Sequence, residues 1–323
     1  MSKIAVIGLG GTIAMAAGAH GLVPSRSVAE LVDTLGEADE VDCEDLAEIA
    51  SANLSWFHLF ELRRRLHDHF AAGGRGAVIV QGTDTLEETA FIVELLGCGR
   101  GGPVAFTGAM RGAGADSADG PGNLLAALCV ARHAPRDLGV VVVMNDVVHA
   151  ARRVRKAHTT SVDAFSSGEA GHIGRIQEGR LDLLQALPGP LPIFDPTAAP
   201  PPVAVATLGF GCGLESLLSA RDPSVRGCIL QAFGAGHVPE TLTSSIGDLA
   251  SKMPVVLCSR TGEGRIAERT YGYPGGEMDL LARGVLPGRR FTPAKARVAL
   301  QLCLASERGE PSRAFAQLAK GFE

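Results

Sequence analysis

The chain has 323 residues, 46% hydrophobic and 20% charged, a core-forming composition that excludes a disordered chain. Its net charge of −5 gives no electrostatic reason to bind nucleic acid or an anionic membrane, and the basic run Arg152, Arg153, Arg155, Lys156 is too short to change that. Seven scattered cysteines lack both C-x-x-C and metal-ligand spacing, which predicts free thiols in a reducing compartment and no metal site. Neither a leader-like segment nor an apolar run near the roughly 20 residues needed to cross a bilayer is seen, so a cytoplasmic location is expected.

Residues 4–9 are an apolar run that stops at Gly10-Gly11, followed by Thr12. Such a run reads as a buried parallel strand, and ligands bind just past the carboxyl ends of such strands. On these residues alone Thr12 has two readings, a backbone-capping hydroxyl or a catalytic one. Residues 15–26 show little periodicity and read as a loop over the site. Ser27, with Glu30 three residues on, opens a helix with a capping box. A short strand within 41–49 and a polar break at 51–53 precede a helix over 56–70, with Phe57, Phe60 and Leu66 on its apolar side.

The pattern then repeats. Residues 77–80 form a second strand closed by Gln81-Gly82-Thr83-Asp84-Thr85, and a helix starts at Leu86. Strands at 103–107 and 139–144 flank a helix over 123–133, and 171–176 holds a small strand. Strands alternating with helices predict a doubly wound, mainly parallel α/β sheet in a large N-terminal domain. Seven prolines between 187 and 202 read as an extended linker. The expected organisation is therefore an N-terminal domain over 1–188 carrying the threonines, a linker over 189–202 and a smaller C-terminal α/β domain over 203–323. The last predicts strands at 203–207, 227–232 and 254–259 and helices at 214–220 and 241–252. It adds a helix opened by Thr292-Pro293 and a last one with Phe315 and Leu318 on one face.

Thr12, Thr83, Asp84 and Lys156 are the chemically suggestive set. A threonine hydroxyl needs a base or a lowered pKa to act as a nucleophile, and a desolvated lysine can serve as that base. Backbone N–H groups at strand ends can hold an oxyanion. Ser51 offers a donor to a substrate carboxylate, and Asp84 an acceptor for an ammonium group.

Five blocks occur in order: GGTIA (10–14), QGTDTLEETA (81–90), FTGAMR (106–111), ARRVRKAHTTSVDAFSS (151–167) and PAKARVALQL (293–302). In these the chain resembles the bacterial-type L-asparaginases, the asparaginase/glutaminase family of amidohydrolases. The resemblance implies hydrolysis of L-asparagine to L-aspartate and ammonia without a cofactor, Thr12 being the nucleophile that forms an acyl-enzyme. It implies that Thr83 and Lys156, with Asp84, move protons, and that Ser51, Gly82, Asp84 and Glu277 bind substrate. Ser51 would hold the α-carboxylate and Asp84 the α-amino group. Glu277 would reach that amino group from a neighbouring protomer of a homodimer or homotetramer, with no nucleic acid or membrane partner.

The chain departs from the family pattern twice. Ala52 stands where many members have Gln, and Leu22 stands where the lid loop usually has the tyrosine that activates the first threonine. Tyr271 and Tyr273 are the only tyrosines. Either His20 or one of these tyrosines activates Thr12, or Thr83 with Lys156 is the working nucleophile, or amidase activity is weak or altered. Slow asparagine hydrolysis is the expectation. The alternatives are a paralogue cutting another small amide and an amino-acid-binding homologue with little turnover.

Overall fold

The structure, a computed structural model, describes residues 3–18, 21–24, 26–37, 41–186, 189–306 and 309–322. Its contacts divide the chain into two units, Met1–Pro190 and Leu191–Glu323. Among the described residues, no helix is long and apolar enough to cross a membrane.

The first unit runs β1 (Ile4–Gly8), β2 (Met15–Gly18), β3 (Gly21–Pro24), α1 (Val28–Thr34), β4 (Val41–Asp45), α2 (Trp56–Ala71), β5 (Gly76–Val80), α3 (Leu86–Leu95), β6 (Val104–Thr107), α4 (Gly120–His133) and β7 (Val140–Met144). It continues with β8 (Val147–Ala150), β9 (Arg155–Lys156), β10 (Phe165–Ser166), β11 (Gly174–Gln177) and β12 (Arg180–Leu183). Its main sheet has the order β12-β11-β8-β7-β6-β5-β1-β4. The five strands from β4 to β7 are parallel, as expected of strands joined by helices. Both faces of the inner strands β1, β5, β6 and β7 are covered, so these strands are buried along their whole length, whereas the edge strand β4 carries Asp42, Glu44 and Asp45. Ile4, Val6, Val78 and Val80 pack in one cluster with Leu31 of α1 and Leu124 and Leu128 of α4. The intervening Ile7, Ile79 and Phe106 are equally buried, and α3 packs against β6 and β7.

The parallel run ends where helices stop separating the strands. After β7 the chain turns at Asn145 and Asp146, both with positive φ of 52° and 58°, and returns antiparallel as β8. Two consecutive left-handed residues suit a two-residue hairpin, whose twist matches that of its strands. β11 and β12 extend the same antiparallel edge. The sheet is thus mixed and mainly parallel.

Several local expectations need correction. Residues 15–26 contain a hairpin: Met15 pairs with Pro24 and Gly18 with Gly21. Small residues carry too little hydrophobic signal to reveal such a pairing. On α2 the buried face is Leu59, Leu62 and Leu66, while Phe57 is 69% exposed. The spacing fits a helix and Leu66 faces inward as expected, but the neighbouring layer takes Leu59 and Leu62 beside it rather than Phe57. Helix α4 starts at Gly120, earlier than expected, with Pro121 in its first turn, where a missing N–H costs no bond. The capping box at Ser27 is present as expected, with Glu30 N donating to Ser27 Oγ at 3.1 Å and Ser27 N to Glu30 Oε2 at 3.0 Å.

The second unit has β13 (Val203–Thr207), β14 (Gly227–Ala232), α5 (Thr243–Ala250), β15 (Val255–Ser259), α6 (Glu277–Ala282), β16 (Leu286–Pro287), α7 (Pro293–Ala305) and α8 (Pro311–Lys320). Its four strands form a parallel sheet in the order β13-β14-β15-β16. The expected helix at 214–220 is instead a 3-10 stretch, Leu214–Arg221, and α6 had no clear sequence signal. Thr292 caps α7 by accepting from Lys295 N, with Pro293 in the first turn. Cys228, Cys258 and Cys303 are buried free thiols, and burial pushes the thiol pKa of Cys228 and Cys303 up to about 12.

Candidate active site

Strand order builds the site. β1 lies between β4 and β5, so the loops that follow these three strands lie side by side at their carboxyl ends. These loops carry Gly10-Gly11-Thr12, Ser51 and Gly82-Thr83-Asp84. They touch backbone to backbone. Gly10 and Gly11 have φ of +88° and +104°. A Cβ on Gly11 would lie 2.2 Å from Gly82 N, and one on Gly10 would lie 2.6 Å from the N and O of Ile49. Only glycine permits both the left-handed turn and this approach. Thr12 then opens a 3-10 turn, Thr12–Ala14, with its side chain half-buried and Ile13 in the core.

Thr83 and Asp84 precede α3 at the end of β5. Lys156, from the short β9–β10 hairpin, donates from Nζ to Thr83 Oγ1 at 2.9 Å and to Asp84 Oδ1 at 2.7 Å. The Lys156 side chain is mostly buried, whereas the Asp84 carboxylate is 71% exposed and open to a ligand. An ion pair whose carboxylate is open to solvent contributes little to stability. Its value lies in holding the amine beside the hydroxyl.

Ser51 is buried beside Gly82, and its Oγ has no hydrogen-bond partner among the described residues. A Cβ on Gly82 would lie 3.0 Å from that oxygen. A buried hydroxyl without a partner is costly and marks a place where a ligand atom can complete the bond. The geometry therefore gathers Ser51, Gly82, Thr83, Asp84 and Lys156, with Thr12 on the adjoining turn.

Glu277 lies in the second unit, fully buried at the start of α6. Its Oε1 accepts from Thr270 N at 2.7 Å and Tyr271 N at 2.8 Å; Oε2 has no hydrogen bond among the described residues and lies 3.7 Å from His237 Nε2. Desolvation opposes its charge, but the donors at Tyr271 and Thr270 outweigh it and hold the carboxyl below its ordinary value. Tyr271 and Tyr273 pack against the His237 ring in the same unit. His20 and the side chain of Leu22 lie outside what the structure describes.

Several supporting residues had not been singled out. Glu87, one turn along α3 from Thr83, accepts from the backbone N–H of Lys156. Thr85 Oγ1 donates to Ser51 O at 3.0 Å, tying the second loop to the third. Buried Gln81 accepts from Thr89 Oγ1 at 2.8 Å and donates to Gly82 O at 3.2 Å. Asp119 accepts from the backbone N–H of Met110 and Arg111, both at 2.9 Å, which fixes the loop after β6. The block QGTDTLEETA contains four of these positions, so its polar residues at helical spacing were the available signal. His149, buried on β8 and 2.9 Å from Ser167 Oγ, is held neutral: burial, then His172 and Arg175, push its pKa down to about 4.

Chemically, the first unit offers a hydroxyl bonded to an amine, a second hydroxyl on a glycine turn, an unpartnered buried hydroxyl and an open carboxylate. A family profile described as asparaginase, N-terminal, matches residues 3–188, and one described as glutaminase/asparaginase C-terminal domain matches 202–314. The chain is 36% identical over 329 residues to a probable L-asparaginase of Deinococcus radiodurans, with 98% of each covered. It is 30% identical to an L-asparaginase of Bacillus licheniformis, covering 94% of this chain and 96% of that one. It is 31% identical to a component of the glutamyl-tRNA(Gln) amidotransferase of Halobacterium salinarum, covering 95% and 76%. A solved structure of a probable cytoplasmic L-asparaginase from Campylobacter jejuni matches with a TM-score of 0.85 at 28% identity, covering 98% of this chain and 99% of that chain.

Proposed function

The chain belongs to the asparaginase family and is an amidohydrolase, and we propose that it hydrolyses L-asparagine to L-aspartate and ammonia through a threonine nucleophile. The observation that carries this reading is the pairing of Lys156 Nζ with Thr83 Oγ1 beside the unpartnered Ser51 Oγ. In the proposed reaction Thr12 Oγ attacks the side-chain amide carbon. Its proton leaves with the amide nitrogen as ammonia, and the acyl group remains as an ester on threonine. Water then cleaves the ester, releasing the carboxylate product and restoring the hydroxyl. Thr83 and Lys156 relay the protons, the Lys156 amine lying within hydrogen-bond reach of the Thr83 hydroxyl. Backbone N–H groups of the glycine loops, Gly82 among them, would hold the oxyanion. Ser51 donates to the α-carboxylate, and the exposed side of Asp84 accepts the α-amino group.

Leu22 in the lid leaves Thr12 without the tyrosine usual in the family. Thr83, already bonded to Lys156, is the second candidate nucleophile, and slow turnover of asparagine is expected. Ala52 and the kinship with an amidotransferase component support a second reading, in which the substrate is another small amide. Glu277 is assigned to substrate binding across a homo-oligomeric interface, in a cytoplasmic enzyme whose domains divide at the proline-rich segment 189–202. Ammonia release from asparagine, glutamine and a panel of other primary amides tests the reading. Preferred turnover of asparagine is expected. Faster release from another amide favours the second reading, and release from none refutes both.

A further inference from the structure

Behind the turn that carries Thr12 lies a small cavity of about 50 Å³. Its floor is aliphatic: Ile13 from the turn, Leu31 and Leu35 from α1 and its end, and Leu124 from α4. The cavity opens where these elements part. At Gly120, by contrast, α4 approaches so closely that a Cβ would lie 2.6 Å from Ile13 Cγ1. Its charged lining residues are Arg26 and Arg111, both cations, and the hydroxyl-bearing Thr34 also lines it.

Among the described residues, neither guanidinium has a carboxylate partner. Arg111 donates to Ser117 O at 3.0 Å, which leaves its charge uncompensated. Asp119, which precedes α4, spends its oxygens on the N–H groups of Met110 and Arg111 and on Asn123 Nδ2. Two like charges on one cavity repel, and a single anion between them reverses the sign of that energy. Arginine is also suited to bidentate capture of a carboxylate. An inorganic anion would leave the aliphatic floor unfilled, and a neutral hydrocarbon would leave the two charges unpaired. The volume admits only a short alkyl group.

We propose that this cavity binds a short-chain aliphatic monocarboxylate, with its alkyl tail among Ile13, Leu31, Leu35 and Leu124 and its carboxylate between Arg26 and Arg111. The site is separate from the one containing Ser51 and Thr83. It shares a wall with it through the Thr12–Ile13 turn. Because Arg26 follows β3 and Arg111 precedes α4, a bound carboxylate ties the base of the β2–β3 hairpin to the loop after β6.

The test is ligand-observed saturation-transfer NMR with propionate on the full chain and on Arg26→Ala, Arg111→Ala, Leu124→Phe and Ser51→Ala. Saturable binding to the unmodified protein and to Ser51→Ala with equal affinity is expected. Each arginine variant should weaken binding by about tenfold or more, the worth of a charge-assisted bond, and Leu124→Phe should fill the cavity and abolish it. The two arginines are exposed, so their variants remain folded and decide the matter if Leu124→Phe does not fold. Absence of saturable binding, binding in both arginine variants as tight as in the unmodified protein, or loss of binding in Ser51→Ala alone would each overturn the proposal. None of these readouts depends on amidase activity, so a wrong substrate assignment would leave them intact.

Discussion

The two units are built alike, yet they use their strand-end hydroxyls differently. In the second unit Ser259, at the end of β15, donates to Gly234 O at 2.5 Å and contacts Thr261 Oγ1 at 2.9 Å, and Thr207, at the end of β13, donates to Gln231 Oε1 at 3.0 Å. Those hydroxyls are consumed by their own loops and neighbouring strand, as is Thr107 at the end of β6 in the first unit, which donates to Val143 O at 2.8 Å. In the first unit Thr83 is held by the amine of Lys156, and Ser51 Oγ has no partner among the described residues. A hydroxyl past a parallel strand is therefore not by itself a site. A cation brought from elsewhere and a donor left unsatisfied distinguish the unit prepared for chemistry.

The sharpest way to break this contrast is to remove hydroxyls from both units. Thr12→Val, Thr83→Val and Lys156→Met should each lower ammonia release by at least about 10²-fold, the lower bound for lost proton transfer. Thr207→Val and Ser259→Ala should leave it nearly unchanged. A steady-state ammonia assay reads all five, and full activity in the Thr12 variant would show that Thr83 is the working nucleophile.

Acid should also separate the units. The pKa of His149 is depressed from 6.5 to about 4, so between these values the unfolded state binds the extra proton. Its contribution, about 3 kcal/mol for a buried group, is present above pH 6.5 and lost as the pH falls towards 4. The depressed carboxyl of Glu277 contributes stability that is full above its unfolded value of 4.5 and is lost only as the pH falls through its lower folded value. The first unit should therefore weaken at milder acidity than the second. Trp56, the sole tryptophan, reports on the first unit, and Tyr271 and Tyr273, the only tyrosines, report on the second. Denaturant melts followed at both signals from about pH 7.5 down to about pH 4 are expected to diverge, and coincident shifts would remove the contrast.

Glycine substitutions sharpen the same comparison through the backbone. Gly11→Ala meets both a φ of +104° and the backbone of Gly82 at 2.2 Å, so a loss of at least about 2 kcal/mol is expected in denaturant unfolding. Gly211→Ala in the second unit has a φ of +76° and open space around it, and the expected cost is about 1 kcal/mol. The smallest effect is at Ser51. Ser51→Ala removes an unsatisfied buried hydroxyl and should stabilise the free protein by up to about 1 kcal/mol, while raising KM by about tenfold with little change in kcat. Destabilisation together with unchanged KM would show that the hydroxyl is structural.

Much of the scaffold is legible in the sequence. The apolar runs ending in Gly10 and Gly82, the capping box at Ser27 and the cap at Thr292-Pro293 all formed as read, because each depends on residues within a few positions of one another. Phe57 shows the limit. Helical spacing was correctly inferred, but which stripe faces inward depends on the layer it meets, and that layer chose Leu59, Leu62 and Leu66. The hairpin at β2–β3 was missed for a related reason, since Ala and Gly give pairing no hydrophobic signature.

The same division holds at the site. The order of residues supplies the groups: glycines that permit left-handed turns, two threonines, an aspartate, a serine and a lysine in ordered blocks. Which of them meet is set by the packing of the sheet. Placing β1 between β4 and β5 sets Gly11 on Gly82 and Gly82 on Ser51, and the β9–β10 hairpin brings Lys156 to Thr83 across 73 positions of chain. The physical reason is that turn, cap and strand preferences are settled by neighbours along the chain, whereas contact between distant side chains depends on sheet order, which emerges only when every apolar face has been buried at once.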